Sequence, residues 1–155
     1  MKTKEKIDSV DLMILRELRD DCKRPVRELA QKLHVHPNTL LQRIKKLEKA
    51  GVILKYVAEL DYSKLDYDLP AIINIKVTKD ARSKWPMLDE LRSMKDISAF
   101  YAVTGTCDLV AIVRTKNRET LTTLLADLNK KPYVVETNTM LVLYAFKHAY
   151  EFNPL

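Results

Sequence analysis

Asn38, Gln42, Lys45 and Lys49 recur at intervals of four, three and four residues. At about 100° per residue they share one face of a helix. An Asn or Gln amide offers a paired donor and acceptor that matches the major-groove edge of adenine, and a Lys ammonium donates to guanine or to phosphate. Thr39 and Lys46 flank this face, and Leu41 and Arg43 lie on its two borders, with Glu48 at the Leu41 border. The opposite side holds Leu40, Ile44 and Leu47. The chemistry on offer is hydrogen bonding to base edges together with neutralisation of a polyanion. In that reading Asn38, Leu41, Gln42 and Lys45 meet bases, with Leu41 against a thymine methyl. Arg43, Lys46, Lys49, Arg24, Arg27 and Lys55 are expected at phosphates.

Charge agrees with this reading. The 155-residue chain carries 27 Lys and Arg against 21 Asp and Glu, a net charge of +6. Residues 1–60 hold 14 basic and 9 acidic side chains, while residues 61–155 are almost balanced, with 13 and 12. The basic excess is thus concentrated where the polar helical face lies.

Bond-making chemistry finds no comparable set. With two glycines, Gly51 and Gly105, a glycine-rich phosphate loop is excluded. No HExxH and no Gly-x-Ser-x-Gly occurs. His34 and His36 stand two apart with no Cys or acidic residue close in sequence, so they read as a surface turn, as does His148 near the C-terminus. Cys22 and Cys107 form no CxxC and imply neither a disulfide framework nor a zinc site. The expectation is a non-enzyme without catalytic residues, metal or cofactor. No apolar stretch approaches the ~20 residues of a membrane span, and the charged N-terminus lacks the apolar run of a secretory signal. The protein is therefore expected in the cytoplasm, with no membrane partner.

The elements that must position these residues follow from periodicity. Asp8 or Ser9 caps a first helix carrying Val10, Ile14, Leu15 and Leu18, which ends in the polar run 19–23. Pro25 opens a second helix with Val26, Leu29, Ala30 and Leu33 inward. After the turn 34–36, with Val35 as its buried plug, Pro37 opens a third helix that runs to Ala50 and stops at Gly51. Three short helices with a tight turn before the third describe a helix-turn-helix. Residues 52–60 read as a strand, either a wing or a hinge leading onward, and residues 61–68 as a linker.

Beyond it, strands are expected at 71–78, 97–104, 108–115 and 133–146, and helices at 83–94 (with Trp85, Leu88, Leu91 and Met94 against the sheet) and 118–129. A turn at Gly105-Thr106-Cys107 joins the second and third strands. The order βαββαβ is a ferredoxin-like sandwich, so the fold is α+β. The domains expected are a helix-turn-helix head with hinge strand over residues 1–60 and a βαββαβ unit over residues 61–155. The sheet face away from its helices is also apolar and needs a cover; a second copy is the simplest, which predicts a homodimer.

Several stretches resemble one family. Residues 11–15, 26–30, 43–48 and 51–53 look like the head of the Lrp/AsnC (feast/famine) regulators. Residues 103–109 resemble that family's Gly-x-x-Asp hairpin, and residues 134–139 its last strand. The resemblance covers nearly the whole chain in the right order. It implies a transcription regulator whose second domain dimerises through its sheet, assembles into tetramers or octamers, and binds an amino acid near the hairpin turn. Carried onto this chain, the effector site would involve Gly105, Thr106, Cys107 and Asp108, with Thr137 and Thr139 on the last strand and Tyr101 and Thr104 as neighbours. Asp108 would meet the ammonium of the effector, and turn amides and Thr hydroxyls its carboxylate. Double-stranded DNA is the expected partner. The rival reading is an architectural protein that binds DNA by phosphate neutralisation alone; the Asn38 and Gln42 face argues for readout beyond charge.

Overall fold

A computed structural model of the chain describes residues 6–83 and 88–146. They form two compact units, residues 6–59 and residues 60–146.

The head contains three helices, α1 (Ser9–Asp20), α2 (Val26–Lys32) and α3 (Pro37–Lys49). Asp8 caps α1 in a reciprocal box with Asp11, an arrangement that satisfies two otherwise orphaned N–H donors. Pro25 stands one place before α2, as its N-cap rather than its first helical residue. In α3, Pro37 does occupy the first turn. Gly51 ends α3 at φ +72°, a left-handed conformation that glycine adopts without Cβ strain. Its N–H donates to the Glu48 carbonyl, and that of Val52 to Leu47. Ile14, Leu29, Ala30, Leu40 and Leu47 form the buried core, with Val35, Ile44 and Ile53 among the half-buried residues packed on it.

The strand expected at 52–60 is not formed: the segment carries no strand pairing, and Leu54, Val57 and Leu60 are exposed. An isolated extended run has nowhere to place its backbone hydrogen bonds without a neighbouring strand. The expected linker 61–68 holds a turn of 3-10 helix, Tyr62–Leu65, capped by Asp61.

The second unit has the order β1 (Leu69–Val77), α4 (Lys79–Ser83), α5 (Asp89–Arg92), β2 (Ile97–Ala102), β3 (Leu109–Thr115), α6 (Arg118–Asn129) and β4 (Val134–Leu141). The four strands form one antiparallel sheet in the order β2-β3-β1-β4. This is the βαββαβ sandwich. One sheet face, with Ile73, Ile75, Val77, Leu109, Ala111 and Val113, is buried with Leu91, Leu121, Leu124 and Leu128 of the helices.

Several boundaries differ from the sequence reading; β1, expected at 71–78, runs over Leu69–Val77. The helix expected at 83–94 begins at Lys79 and is described as two short pieces; Trp85 lies outside the described residues, as does His148. β2 stops at Ala102, so the turn spans six residues, closed by the Val103 N–H donating to the Asp108 carbonyl at 2.9 Å. β4 stops at Leu141, where its pairing with β1 ends. Leu141 pairs with Ala71, the Val142 N–H still reaches Pro70, and Leu143 beyond is 96% exposed.

Candidate functional site

Burial of one side of α3 decides what the other side can do. Leu40 and Leu47 are buried and Ile44 half-buried against the head core. Asn38, Thr39, Leu41, Gln42, Lys45, Lys46 and Lys49 are all exposed. The N-terminal end of α3 is held by His36, whose Nδ1 accepts the Asn38 N–H at 3.3 Å. Among the described residues, no ion pair engages Lys45, Lys46, Lys49, Arg27 or Lys55. These cations face solvent with their charge uncommitted.

Two of the expected phosphate contacts are placed differently. Arg24 is bound by Glu17 of α1, which also takes Lys32 at 2.7 Å. Lys32, and after it Arg24, hold the Glu17 carboxyl below its usual range through hydrogen bonds. Arg43 turns to the start of α1, where one guanidinium nitrogen lies 2.7 Å from the Asp8 carboxylate and 2.7 Å from that of Asp11. Tyr56, a residue the sequence reading did not single out, donates its hydroxyl to Glu48 of α3 at 2.9 Å. Partial burial, reinforced by Glu48, pushes the Tyr56 hydroxyl up to about 12.

In the second unit the hairpin turn is tied down by Asp108. The side chain is buried, and its Oδ2 accepts the Val77 N–H at 2.9 Å, at the irregularity where the β1–β4 register shifts between Lys76 and Val77. The Asp108 N–H donates to the Ile75 carbonyl at 3.0 Å. Asp108 therefore fastens the turn to β1, rather than standing open beside it. Gly105, at φ +126°, makes the bend.

Thr106 and Cys107 border a shallow hollow of about 200 Å³ completed by Asn74 and Lys76 of β1 and Glu136 and Asn138 of β4. Lys76 donates to Glu136 at 2.6 Å across the strands, and that bond raises the Lys76 ammonium above its ordinary value. Tyr101 is exposed on this sheet face, paired with Val110, and Thr104 and Gly105 lie exposed in the turn. Thr137 and Thr139 are not brought to the hollow. They pair with Ile75 and Ile73 and so point to the helix-covered face, where the Thr137 hydroxyl donates to Asn129 at 3.1 Å. Asn74, Lys76, Glu136 and Asn138 went unnoticed in the sequence because only strand register unites them. Among the described residues no group of three or more His, Cys, Asp or Glu is placed to hold a metal, and both cysteines are free.

The open sheet face is graded. One cross-strand row reads Ala99, Ile112, Ile72 and Met140; the next reads Tyr101, Val110, Asn74 and Asn138; the last pairs Lys76 with Glu136. An apolar middle thus gives way to a polar, charged end beside the turn.

A basic helix-turn-helix head followed by a ferredoxin-like unit with a polar hollow defines a two-domain DNA-binding regulator. The comparisons with known proteins give the family. Residues 7–53 match the winged helix-turn-helix DNA-binding family, and residues 70–152 match the Lrp/AsnC ligand binding domain. The chain belongs to the Lrp/AsnC family of transcriptional regulators. It is 34% identical to the HTH-type transcriptional regulator FL11 of Pyrococcus horikoshii over 145 residues, 94% of this chain and 95% of that protein. Among solved structures, a transcriptional regulator from Neisseria meningitidis in complex with L-Met is 25% identical with a TM-score of 0.86, covering 92% of this chain and 94% of that one. AsnC of E. coli is also 25% identical, with a TM-score of 0.85 over 92% of this chain and 96% of the other. No helix among the described residues is long and apolar enough to cross a membrane.

Proposed function

We propose that the protein is a cytoplasmic, non-enzymatic regulator that reads a specific DNA site as a homodimer or larger assembly and changes its assembly or DNA binding with an amino acid. The observation that carries the DNA reading is the face of α3: Asn38 and Gln42 exposed, flanked by Lys45, Lys46 and Lys49, with no acidic residue in the first turn. Asn38, Leu41, Gln42 and Lys45 meet base edges, with Thr39 beside them; Lys46, Lys49, Arg27 and Lys55 meet phosphates. In a dimer two such helices enter successive major grooves of a pseudo-palindromic site. The apolar row through Ile112, Ile72 and Met140 supports dimerisation through the sheet.

For the effector, the hollow offers both charges an amino acid needs. Lys76 takes its carboxylate and Glu136 its ammonium, the two exchanging their mutual bond for bonds to the ligand. Thr106, Cys107, Asn74 and Asn138 surround what remains. The L-Met bound by the similar regulator of Neisseria meningitidis supports this ligand class. A ligand shifts assembly only by its differential affinity for the two states.

Gln42→Ala tests the DNA reading. It should lower the ratio of specific to random affinity and leave random-DNA affinity nearly intact. Equal loss on both DNAs removes base reading by Gln42, and a wild-type ratio near one favours the architectural alternative. For the effector, calorimetry against each of the twenty amino acids, followed by sizing, should give a saturable hit that alters assembly. A hit retained in Lys76→Ala/Glu136→Ala places the effector elsewhere.

A further inference from the structure

We propose that Arg43 is a positioning residue of the reading helix, not a phosphate contact: it ties α3 to the N-terminus of α1 and so fixes how Asn38 and Gln42 meet the bases. The proposal rests on the reading of α3 as the DNA-facing helix.

The geometry is a closed circuit. Asp8 Oδ1 accepts the Asp11 N–H at 2.8 Å, and Asp11 Oδ2 accepts the Asp8 N–H at 3.2 Å. The two remaining carboxylate oxygens, Asp8 Oδ2 and Asp11 Oδ1, both accept from Arg43 at 2.7 Å. All four oxygens are used, and the guanidinium is the piece of α3 that completes the cap of α1. Asp11 is only 3% exposed, although it is a carboxylate. A DNA phosphate that captured Arg43 would strip this buried charge of its cation, and an unpaired buried charge is strongly destabilising. The cluster also holds two carboxylates against one guanidinium, so its net charge repels a phosphate. The exposed Lys46 and Lys49 on the same helix have no such competitor among the described residues.

Arg43 follows Gln42 directly, so a rotation or slide of α3 released by its loss is transmitted to the amide face at once. Bidentate base contacts tolerate little misalignment, whereas phosphate attraction tolerates much.

The test measures binding of the full-length protein to a selected site and to random DNA across a salt series. The variants are Arg43→Gln, Arg43→Lys, Asp11→Asn, Asp8→Asn and Lys46→Ala. Positioning predicts that Arg43→Gln and Asp11→Asn both reduce the specific-to-random ratio by about five- to a hundredfold, the worth of a bidentate base contact. It predicts that the slope of log affinity against log salt is unchanged in Arg43→Gln, while Lys46→Ala lowers it by about 0.9, one phosphate's share. Arg43→Lys, which keeps a cation between the two carboxylates, should recover part of the ratio. If Arg43→Gln or Asp11→Asn does not fold, Asp8→Asn carries the test: Asn still caps α1, yet the pull on Arg43 is weakened, and the ratio should fall.

A phosphate role predicts the opposite sign for the acids. Freeing Arg43 by Asp8→Asn or Asp11→Asn would strengthen binding to both DNAs, and Arg43→Gln would lower the slope by about 0.9; either result overturns the proposal. A wild-type protein with no preference between the two DNAs would remove base reading by α3 itself, a different failure, visible before any variant is made.

Discussion

In the head, the exposed face of α3 follows from burying the other: once Leu40 and Leu47 turn inward, Asn38, Gln42 and Lys45 must turn outward. In the sheet unit, the hollow exists because three distant segments meet. Asn74 and Lys76, Thr106 and Cys107, and Glu136 and Asn138 come from β1, the hairpin turn and β4. The head presents a polar face from one element, as the proposed reading of DNA requires; the sheet makes a hollow from several, as the proposed binding of a small effector requires. The cores differ in the same sense. Among the described residues, five buried side chains form the core of the head and fourteen that of the sandwich. The smaller core leans on polar ties such as Arg43 to Asp8 and Asp11, and Glu17 to Lys32.

The most forceful way to break this contrast is to cut each core once. Leu40 and Ile73 are both fully buried, and truncating either to Ala costs about 2–5 kcal/mol. In the smaller core that loss should unfold the head. Leu40→Ala should abolish DNA binding and amide protection over residues 9–49 while leaving the sandwich protected. Ile73→Ala should lower the melting temperature of a sandwich that stays folded. If hydrogen exchange shows both units opening together in Leu40→Ala, the head is not the more fragile partner.

A second cut separates structure from ligand chemistry within the sheet unit. Asp108→Ala leaves the buried Val77 N–H without its carboxylate acceptor, a loss of about 1–3 kcal/mol. Thr106→Ala, at the exposed rim, should stay within about 0.5 kcal/mol of the parent. Urea denaturation of the two variants checks both values. An Asp108→Ala protein as stable as its parent would return Asp108 to the role of an open ligand contact.

These residues also mark what was legible in the sequence. The α3 face was readable because helical period alone assigns inside and outside over 13 residues. The succession βαββαβ was readable because most of its strands and helices announce themselves locally. The hollow was not, since Lys76 and Glu136 lie 60 positions apart and meet only through the β1–β4 register. Thr137 and Glu136 are adjacent in sequence, yet a strand sends them to opposite faces, and motif likeness does not say which face a ligand uses. Arg43 was read as a phosphate contact because it borders the polar face of a basic helix; its ion-pair partners, Asp8 and Asp11, at the start of α1, gave no sign of that pairing in the sequence.

Acid should sharpen the contrast more gently. Asp8 is held below the ordinary 3.8 first by the Asp11 N–H and then by Arg43, and Glu17 below 4.5 by Lys32 and Arg24. A depressed folded-state value contributes stability that is present above the unfolded value and is lost as pH falls through the folded one. Both ties therefore weaken on acidification below the ordinary carboxylate range. Lys76 is raised above 10.5 by Glu136, so its contribution has the reverse sense, present below that value and lost as pH rises through the raised one. Backbone NMR signals followed below about pH 4 should stay dispersed in the sandwich after those of the head have begun to collapse. Simultaneous collapse would mean that these head ties carry no differential stability.

The smallest effect concerns the segment that opens the sheet unit. Arg114 stands over the Tyr62 ring at 5.0 Å, and Lys116 over the Tyr67 ring at 5.4 Å. Both rings come from the stretch read in the sequence as a linker; Arg114 lies near the end of β3 and Lys116 just beyond it. An exposed cation–π pair is worth about 0.5–1 kcal/mol, enough to bias where this segment lies without locking it. Tyr62→Leu keeps most of the apolar area and removes the π face; Arg114→Met keeps the stem and removes the charge. Each should lower the urea midpoint slightly, and the double variant should fall no further than the larger single loss. Coupling of that kind is what a direct contact produces. Strict additivity would mean that the ring and the guanidinium act separately, leaving the start of the sandwich as loosely held as the unpaired run before it.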